Sequence, residues 1–462
     1  MSDKQQKSQM DLASFLEGRS EAPMAKNRGT ELPAENRQPE HRVRSTSHLM
    51  EEVVSRENLR NALKRVEKND GKPGPDGIRV SELREVIRKE WPGIQEKLLE
   101  GTYRPQPVRR VHIPKPEGGS RKLGIPSATD RLISQAMLQV LQPIFDPTFS
   151  DKSYGYRPGR SAHQAVRRVQ RYLKEGHRWL VDIDLESFFD RVNHDKLLGK
   201  MAKVIEDKRI LRVIRAYLVA GIMEGGVSSP STEGMPQGAP LSPLLSNIML
   251  DELDCELERR GLNFARYADD CNIYVKSERA ALRVMEGVSG FIEKTLKLKV
   301  NKKKSSVDRP WRRKFLGFSF TAHKDPKRRI APQSLKRLKK KIREKTRRTR
   351  GLDAQSVADD LSVYLRGWIG FFSICQTPSI LRDLDSWIRR RLRSLIWAQW
   401  KRGRTRFRKL RELGISKDRA AKAAGSSHGP WRISRSPALC IAFPNEWFDH
   451  LGLIRLEDYA RT

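Results

Sequence analysis

The sequence predicts an α+β fold, with short strands in the first two thirds of the chain and basic helices in the last third. Three observations predict it. Segments 179–183 and 264–275 are strand-like and carry acidic residues at their ends. Apolar residues recur at helical spacing in segments around them. Near residue 330 the composition shifts, and strongly basic helical patterns follow.

Residues 1–50 are polar, mixed in charge and poor in aromatics, the composition of a disordered tail. From Glu51 onward Leu59, Leu63 and Val66 fall at helical spacing, and NDGKPGPDG (69–77) then breaks that helix with Gly and Pro. Within 104–126, VRRVHIPKP reads as a strand, GGS as a turn and RKLGIP as the way out. Leu132, Ile133, Ala136, Met137, Val140 and Leu141 predict a helix over 130–145. A longer amphipathic helix is expected over 240–257, with Leu241, Leu244, Leu245, Ile248, Met249 and Leu253 on one face and Pro240 in its first turn. Segment 264–275 reads as two strands around Asp269 and Asp270. The run QSLKRLKKKIREKTRRTR (333–350) spaces Leu335, Leu338 and Ile342 along one helix face. Helices rich in Trp, Phe and Arg are expected over 358–373 and 380–401, and 402–462 begins RGRTRFRKLRE and ends in aromatic and loop-forming residues.

The 462 residues leave room for roughly three domains of about 150 residues. Lys and Arg total 92 against 56 Asp and Glu, a net charge of +36, and the basic residues are clustered. That is the electrostatic footprint of a nucleic-acid binder. No run approaches 18 apolar residues, so no membrane partner is expected, and MSDKQQKSQM lacks the apolar region of a secretory signal. Cys255, Cys271, Cys375 and Cys440 are isolated singles without a C-x-x-C pair, which argues against a zinc-bound module and for a reduced, cytoplasmic protein.

Two acidic sites carry the chemistry: Asp184 in WLVDIDLESFFD, just past an apolar strand, and Asp269-Asp270 in RYADDCNIY, at a hairpin turn. Strand-end carboxylates from separate strands can converge. Two Mg²⁺ ions held about 3.5–4 Å apart by such a set serve phosphoryl transfer. Mg²⁺ keeps several waters, so two or three carboxylates plus substrate phosphates suffice. A lone Asp-Asp pair is more often a solvated turn. Here GMPQGAPLSPLLSNIMLDELD lies between the two sites.

YADD (267–270), DLESFFD (184–190) and PQGAPLSPLLSNI (236–248) resemble the reverse transcriptases, in order and at suitable spacings. More narrowly, IPKPEGGSRKLGIPSATDRLISQA (113–136), SYGYRPGRSAHQA (153–165), LKLKVNKKKSS (296–306) and KFLGFSF (314–320) resemble blocks of the bacterial group II intron reverse transcriptase/maturases. The resemblance covers about residues 55 to 460. It implies a right-hand polymerase: fingers and palm with an antiparallel sheet over 51–325, then an all-helical thumb/maturase region over 326–401 and a basic, DNA-binding-like segment over 402–462.

Carried over residue by residue, the resemblance makes Asp184, Asp269 and Asp270 the catalytic metal ligands, with Asp182 as the alternative to Asp184. The cofactor would be two Mg²⁺ ions, with Mn²⁺ as a substitute. Phe189 resembles the steric gate against a ribose 2′-hydroxyl, its other reading being a core aromatic. Lys115 and Arg121 resemble the grip on the incoming triphosphate, a task their charge suits. Gln237 and Gly238 resemble nucleotide-pocket residues. Lys304 resembles the lysine that protonates leaving pyrophosphate, although Ser305 stands where the family has Thr.

The basic run supplies Lys336, Arg337, Lys339, Lys340, Lys341 and Arg343 as contacts to a template–primer duplex, whose A-form is met mostly through phosphates and 2′-hydroxyls. SVYLRGWIGFFSI (362–374) and LRDLDSWIRRRLRSLIWAQWKR (381–402) resemble the maturase region, with Arg389, Arg390, Arg391 and Arg393 as RNA contacts and the aromatics as core. GPWRISRSPALCIAFPNEWFDHLGL (429–453) looks like the short end of the group IIC class, without the C-terminal endonuclease that many relatives carry. The implied partners are group II intron RNA, an RNA template with a DNA primer, target DNA and dNTPs. Two other readings stand beside this one: a freestanding reverse transcriptase in repair or defence, and a splicing cofactor with a vestigial polymerase site.

Overall fold

The computed structural model describes residues 45–114, 119–224, 227–229 and 231–459. The expected tail lies outside the described residues up to position 44, as does Lys115. Two compact units divide the chain. One holds the described residues through Ala165 together with Trp179–Val307, and the other holds Val166–Arg178 with everything from Asp308 onward.

In the first unit, helices α1 (Leu49–Val54), α2 (Arg56–Asn69) and α3 (Leu83–Glu100) precede strands β1 (Val108–Pro114) and β2 (Ser120–Ile125). Leu49 and Met50, expected in the tail, are instead fully buried, and the Met50 N–H donates to the Asp207 carboxylate at 3.0 Å. Their apolar side chains were outweighed in the sequence by the polar residues before them. Ser55 caps the start of α2, and Asp70, at φ 37°, ends it. Helix α4 (Ala128–Phe145) is the central core helix, with Ile133, Ala136, Met137 and Leu141 fully buried. Its N-cap Ser127 accepts from the Asp130 N–H. The buried Asp130 carboxylate in turn accepts from the hydroxyls of Tyr103 and Tyr217 and from the Gln106 N–H.

Helix α5 (Ala162–Lys174), strand β3 (Trp179–Ile183), helices α6 (His194–Met201) and α7 (Lys208–Val219) and the short strands β4 (Ile222–Glu224) and β5 (Val227–Ser229) come next. Helix α8 (Ser242–Arg259) leads to the hairpin β6 (Asn263–Tyr267) and β7 (Asp270–Val275), then to α9 (Glu278–Phe291) and β8 (Ser306–Asp308). Helix α8 begins at Ser242, two residues later than expected: Pro243 occupies the first turn and Pro240 precedes it. The sheet that carries the carboxylates has the order β6-β7-β3-β8, and its β6–β7 and β7–β3 pairs are antiparallel. A second sheet, β2-β1-β4-β5, departs from the antiparallel expectation, because β1 pairs with β4 in parallel.

The second unit takes most of helix α5, from Val166, and then, past Asp308, an antiparallel ribbon, β9 (Phe318–Phe320) and β10 (Arg328–Ile330), followed by helices. Residues 308–325 were expected with the first domain. They group here because Phe318 packs on Phe372 and Phe371 of α11 (Ala354–Phe372), at ring-centroid distances of 5.1 and 5.7 Å. Helix α10 (Pro332–Lys345) stops short of residue 350, and α12 (Pro378–Gln399) is the longest helix of the unit. Residues 402–459 form five short helices rather than loops: α13 (Gly403–Glu412), α14 (Lys417–Ala424), α15 (Pro430–Ile433), α16 (Pro437–Ala442) and α17 (Asn445–His450). A chain of aromatic contacts, Trp397–Trp400–Phe443–Trp447–Phe448, ties the end of α16 and α17 to α12 at centroid distances of 4.7–6.1 Å.

Candidate active site

The hairpin β6–β7 closes with Tyr267 opposite Asp270, so Ala268 and Asp269 form a two-residue turn. Ala268 adopts φ 58°, a left-handed conformation that costs a side-chain-bearing residue about 1–3 kcal/mol. The register pairs Asp182 with Asn272 and Ile183 with Cys271, which brings the residue after β3, Asp184, to the turn end of the sheet. Asp270 is the first residue of β7 at that same end.

Asp184 is fixed through its backbone. Its N–H donates to the Ser305 hydroxyl at 3.0 Å, and its carbonyl accepts from that hydroxyl at 3.3 Å and from the Asn301 N–H at 2.8 Å. Asn301 also accepts the N–H groups of Lys304 and Ser305, so the turn carrying Lys302, Lys303 and Lys304 is tied directly to Asp184. All three lysines are exposed. The hydroxyl that departs from the family's Thr performs this tie. Its place in the motif was evident, but its partner 121 residues away was not.

Asp269 is solvent-exposed at the tip of the turn, and desolvation by the protein packed around it pushes its carboxyl above the usual carboxylate range. Asp184 pushes the same way and Arg121 opposes, so the two carboxylates and this arginine share one electrostatic neighbourhood. Burial and the facing Asp269 also push the Tyr156 hydroxyl up to about 12. Tyr156 sits in a left-handed conformation (φ 60°) in the SYGYR motif and had no assigned role.

Gln237 and Gly238 lie against β2: the Gly124 N–H donates to the Gln237 carbonyl at 2.8 Å, and a Cβ on Gly238 would stand 2.7 Å from the Gly124 oxygen. Glycine is required there by this approach and by φ 123°. Phe189 stacks edge-on against Phe188, with centroids 5.3 Å apart, and lines a cavity of about 220 Å³ with Arg110, Lys122, Tyr217 and Met235. It is part core and part pocket wall.

In the second unit, Lys336, Arg337, Lys340, Lys341 and Arg343 are exposed on α10. Lys339 is half-buried, and with Arg343 and Arg391 it surrounds the Trp387 ring at 5.5–5.7 Å. Arg389, Arg390, Arg391 and Arg393 are all half-buried. Three of them bond inside the protein: Arg390 to the Trp431 carbonyl, Arg391 to the Thr346 hydroxyl and Arg393 to the Phe443 carbonyl.

Among the described residues, no three His, Cys, Asp or Glu side chains are grouped closely enough to cage a metal ion. The Asp184 and Asp269 carboxylates, brought to one end of the sheet, still fit a divalent ion that completes its shell with water and phosphate, since such an ion takes oxygen donors of this kind.

Strand-end carboxylates on a hairpin turn, beside a cation and a backbone-lined pocket, define a palm-type nucleotidyl-transfer site. Residues 113–320 match the family described as reverse transcriptase (RNA-dependent DNA polymerase), and residues 335–414 match the group II intron maturase-specific domain. The chain is 35% identical over 273 residues to protein YkfC of Escherichia coli K12, a match covering 51% of this chain and 72% of that protein. It is 39% identical over 180 residues to the group II intron-encoded protein LtrA of Lactococcus lactis subsp. cremoris, covering 39% of this chain and 28% of LtrA. An uncharacterized 91 kDa protein in the cob intron of Schizosaccharomyces pombe is 35% identical over 179 residues, 39% of this chain and 21% of that protein. This chain belongs to the group II intron reverse transcriptase/maturase family, whose polymerase members use divalent metal ions.

Proposed function

We propose that this protein extends a DNA primer on an RNA template and serves a group II intron RNA, in whose splicing and mobility it acts. The strand register that brings Asp184 and the Asp269 turn to one end of the sheet, where the charge of Arg121 is felt, carries this reading. In the reaction the primer 3′-oxygen bonds to the α-phosphorus of a dNTP, the α–β bridging bond breaks, and pyrophosphate leaves. Asp184, Asp269 and Asp270 would hold two Mg²⁺ ions, or Mn²⁺ in their place, which supply positive charge at the attacking and departing oxygens.

The chain's own residues do the rest. Arg121, with Lys115, grips the triphosphate oxygens, and the Gln237–Gly238 backbone forms the floor against which the nucleotide rests. Phe189 excludes a 2′-hydroxyl. Lys304, on the turn hooked to Asp184, delivers a proton to the leaving pyrophosphate. The exposed cations of α10 hold the duplex by its phosphates. No helix among the described residues is long and apolar enough to cross a membrane, and we place the protein with its nucleic acids in the cytoplasm.

The test is primer extension with purified protein, an RNA template, annealed DNA primer, dNTPs and Mg²⁺, beside Asp269→Ala. Extension by the parent protein and none by the variant, with RNA binding unchanged in both, is the expected result. No extension by the parent protein with tight RNA binding would instead favour a splicing cofactor.

A further inference from the structure

Three sequence motifs meet in one buried polar knot beneath the Ala268–Asp269 turn. The first is SYGYR. Its backbone runs beside β6, with the Tyr154 N–H donating to the Arg266 carbonyl and the Arg266 N–H to the Lys152 carbonyl, both at 2.9 Å. Arg157 fixes this segment from behind. Its buried guanidinium donates to the carbonyls of Asp146, Ser150 and Ser153 and pairs with the Asp146 carboxylate at 2.9 Å. Gly155 then passes so close to the turn that a Cβ there would stand 2.3 Å from the Ala268 nitrogen.

The second motif is α8, which contributes Asn247 and Asp254, and the third is Arg266 of β6. Arg266 and Asp254 are fully buried and joined by two parallel hydrogen bonds of 2.8 and 2.5 Å. The remaining arginine nitrogen, Nη1, donates to the Asn247 Oδ1 at 3.0 Å and to the Ala268 carbonyl at 2.9 Å. The Asn247 Nδ2 donates to the Gly155 carbonyl at 2.9 Å. The Arg266 Nη1 bond thus reaches the turn itself, and the Asn247 Nδ2 bond reaches the segment that walls it in.

A buried ion pair is a poor device for stability alone, because desolvating two charges cancels most of their attraction. What this one supplies is direction. The guanidinium is rigid and planar, Asp254 orients it, and its free edge holds the carbonyl of the left-handed residue directly before Asp269. A misplacement of about 1 Å at a reacting centre costs on the order of 100-fold in rate.

We propose that Arg266, Asp254 and Asn247 are positioning residues that set the place of the Asp269 carboxylate, with Gly155 as the wall that keeps the turn from relaxing outward. This rests on the polymerase reading of the site, in which Asp269 is a metal ligand.

The test uses the full chain carrying Asn247→Ala, Arg266→Lys or Gly155→Ala, with Asp269→Ala alongside. Arg266→Lys keeps the charge facing Asp254 but loses the donor to Ala268. Gly155→Ala changes no charge and pushes on the turn alone. Three quantities are read: the Mn²⁺ titration by electron paramagnetic resonance without substrates, the single-nucleotide incorporation rate with its dNTP half-saturation, and the melting temperature. The expected result is at least a threefold weaker Mn²⁺ titration and at least a tenfold slower incorporation, with primer–template binding and dNTP half-saturation within twofold of the parent. If the three variants titrate Mn²⁺ like the parent and slow only in proportion to their folded fraction, the knot is structural and the proposal fails. Should Arg266→Lys not fold, Asn247→Ala and Gly155→Ala decide between these outcomes. An Asp269→Ala protein that still incorporates nucleotides would sink the polymerase reading itself, a different failure.

Discussion

On α10 most of the cations face solvent; on α12 Arg390, Arg391 and Arg393 turn to the protein. Helix α10 buries only Ser334, Leu338 and Ile342, so Lys336, Arg337, Lys340 and Lys341 project from the remaining circumference. Helix α12 buries Leu381, Leu384, Asp385, Ile388, Leu392, Leu395, Ile396 and Trp397, a broad stripe, and its arginines border it. The stems of Arg390, Arg391 and Arg393 lie along apolar surface and their heads find local acceptors. Arg390 lies 3.8 Å from the Trp431 ring centroid, and Arg393 donates to the Phe443 carbonyl at 3.0 and 2.8 Å. The lesson is that a run of arginines on a wide-striped helix is mortar, whereas the same charge on a narrow-striped helix is available to a polyanion.

The largest effect should come from replacing Lys336, Arg337, Lys340 and Lys341 together by Gln. If each meets a phosphate, template–primer affinity near 0.1 M salt falls roughly 100-fold or more, and the slope of log affinity against log salt drops by about 0.7–0.9 per contact. Fluorescence anisotropy across a salt series measures both, and an unchanged slope would assign α10 to the solvated surface. Arg393→Ala comes next. Loss of its charge-assisted bonds should cost about 2 kcal/mol in denaturant unfolding. Its salt slope should match the parent's, and a reduced slope would return Arg393 to the RNA contacts. Arg390→Leu loses a cation–π contact with the part-exposed Trp431 and should cost about 1 kcal/mol by the same assay.

Arg391→Gln should change least. Burial, Arg343 and Arg348 all press the Arg391 pKa down, so its charged form is disfavoured in the folded protein. Removing that charge relieves repulsion while giving up the bond to Thr346 and the contact with the Trp387 ring, for a net change within about 0.5 kcal/mol. A loss near that of Arg393→Ala would erase the distinction between the two arginines.

Local pattern was legible in the sequence and partnership was not. Strand β3, the β6–β7 hairpin and helices α4, α8 and α10 follow from periodicity and turn chemistry, which act over a few residues. The parallel pairing of β1 with β4 does not, because nothing local in 108–114 specifies 222–224. The short helices after residue 402 were masked by prolines at their starts, in α15 and α16, and by the loop-forming residues between them. At the site, Asp184 and Asp269 stand out because strand-end carboxylates are a local signal. The Ser305 tie and the Arg266–Asp254–Asn247 knot consist of contacts between motifs that were each recognised separately.

The strand pairings also impose a timetable on biosynthesis. Strand β3 finds its first neighbour in β7 and its second in the still later β8, and β1 waits for β4, more than a hundred positions downstream. Roughly 90 residues separate the two strands of the carboxylate sheet, so a ribosome working at about 5–20 residues per second leaves β3 unpaired for about 5–20 s after it emerges. Through that interval an apolar strand edge is open to any other nascent strand. Soluble yield should therefore respond to translation speed between codons 184 and 275 more than to speed after codon 332, where each helix closes its own hydrogen bonds as it leaves the tunnel.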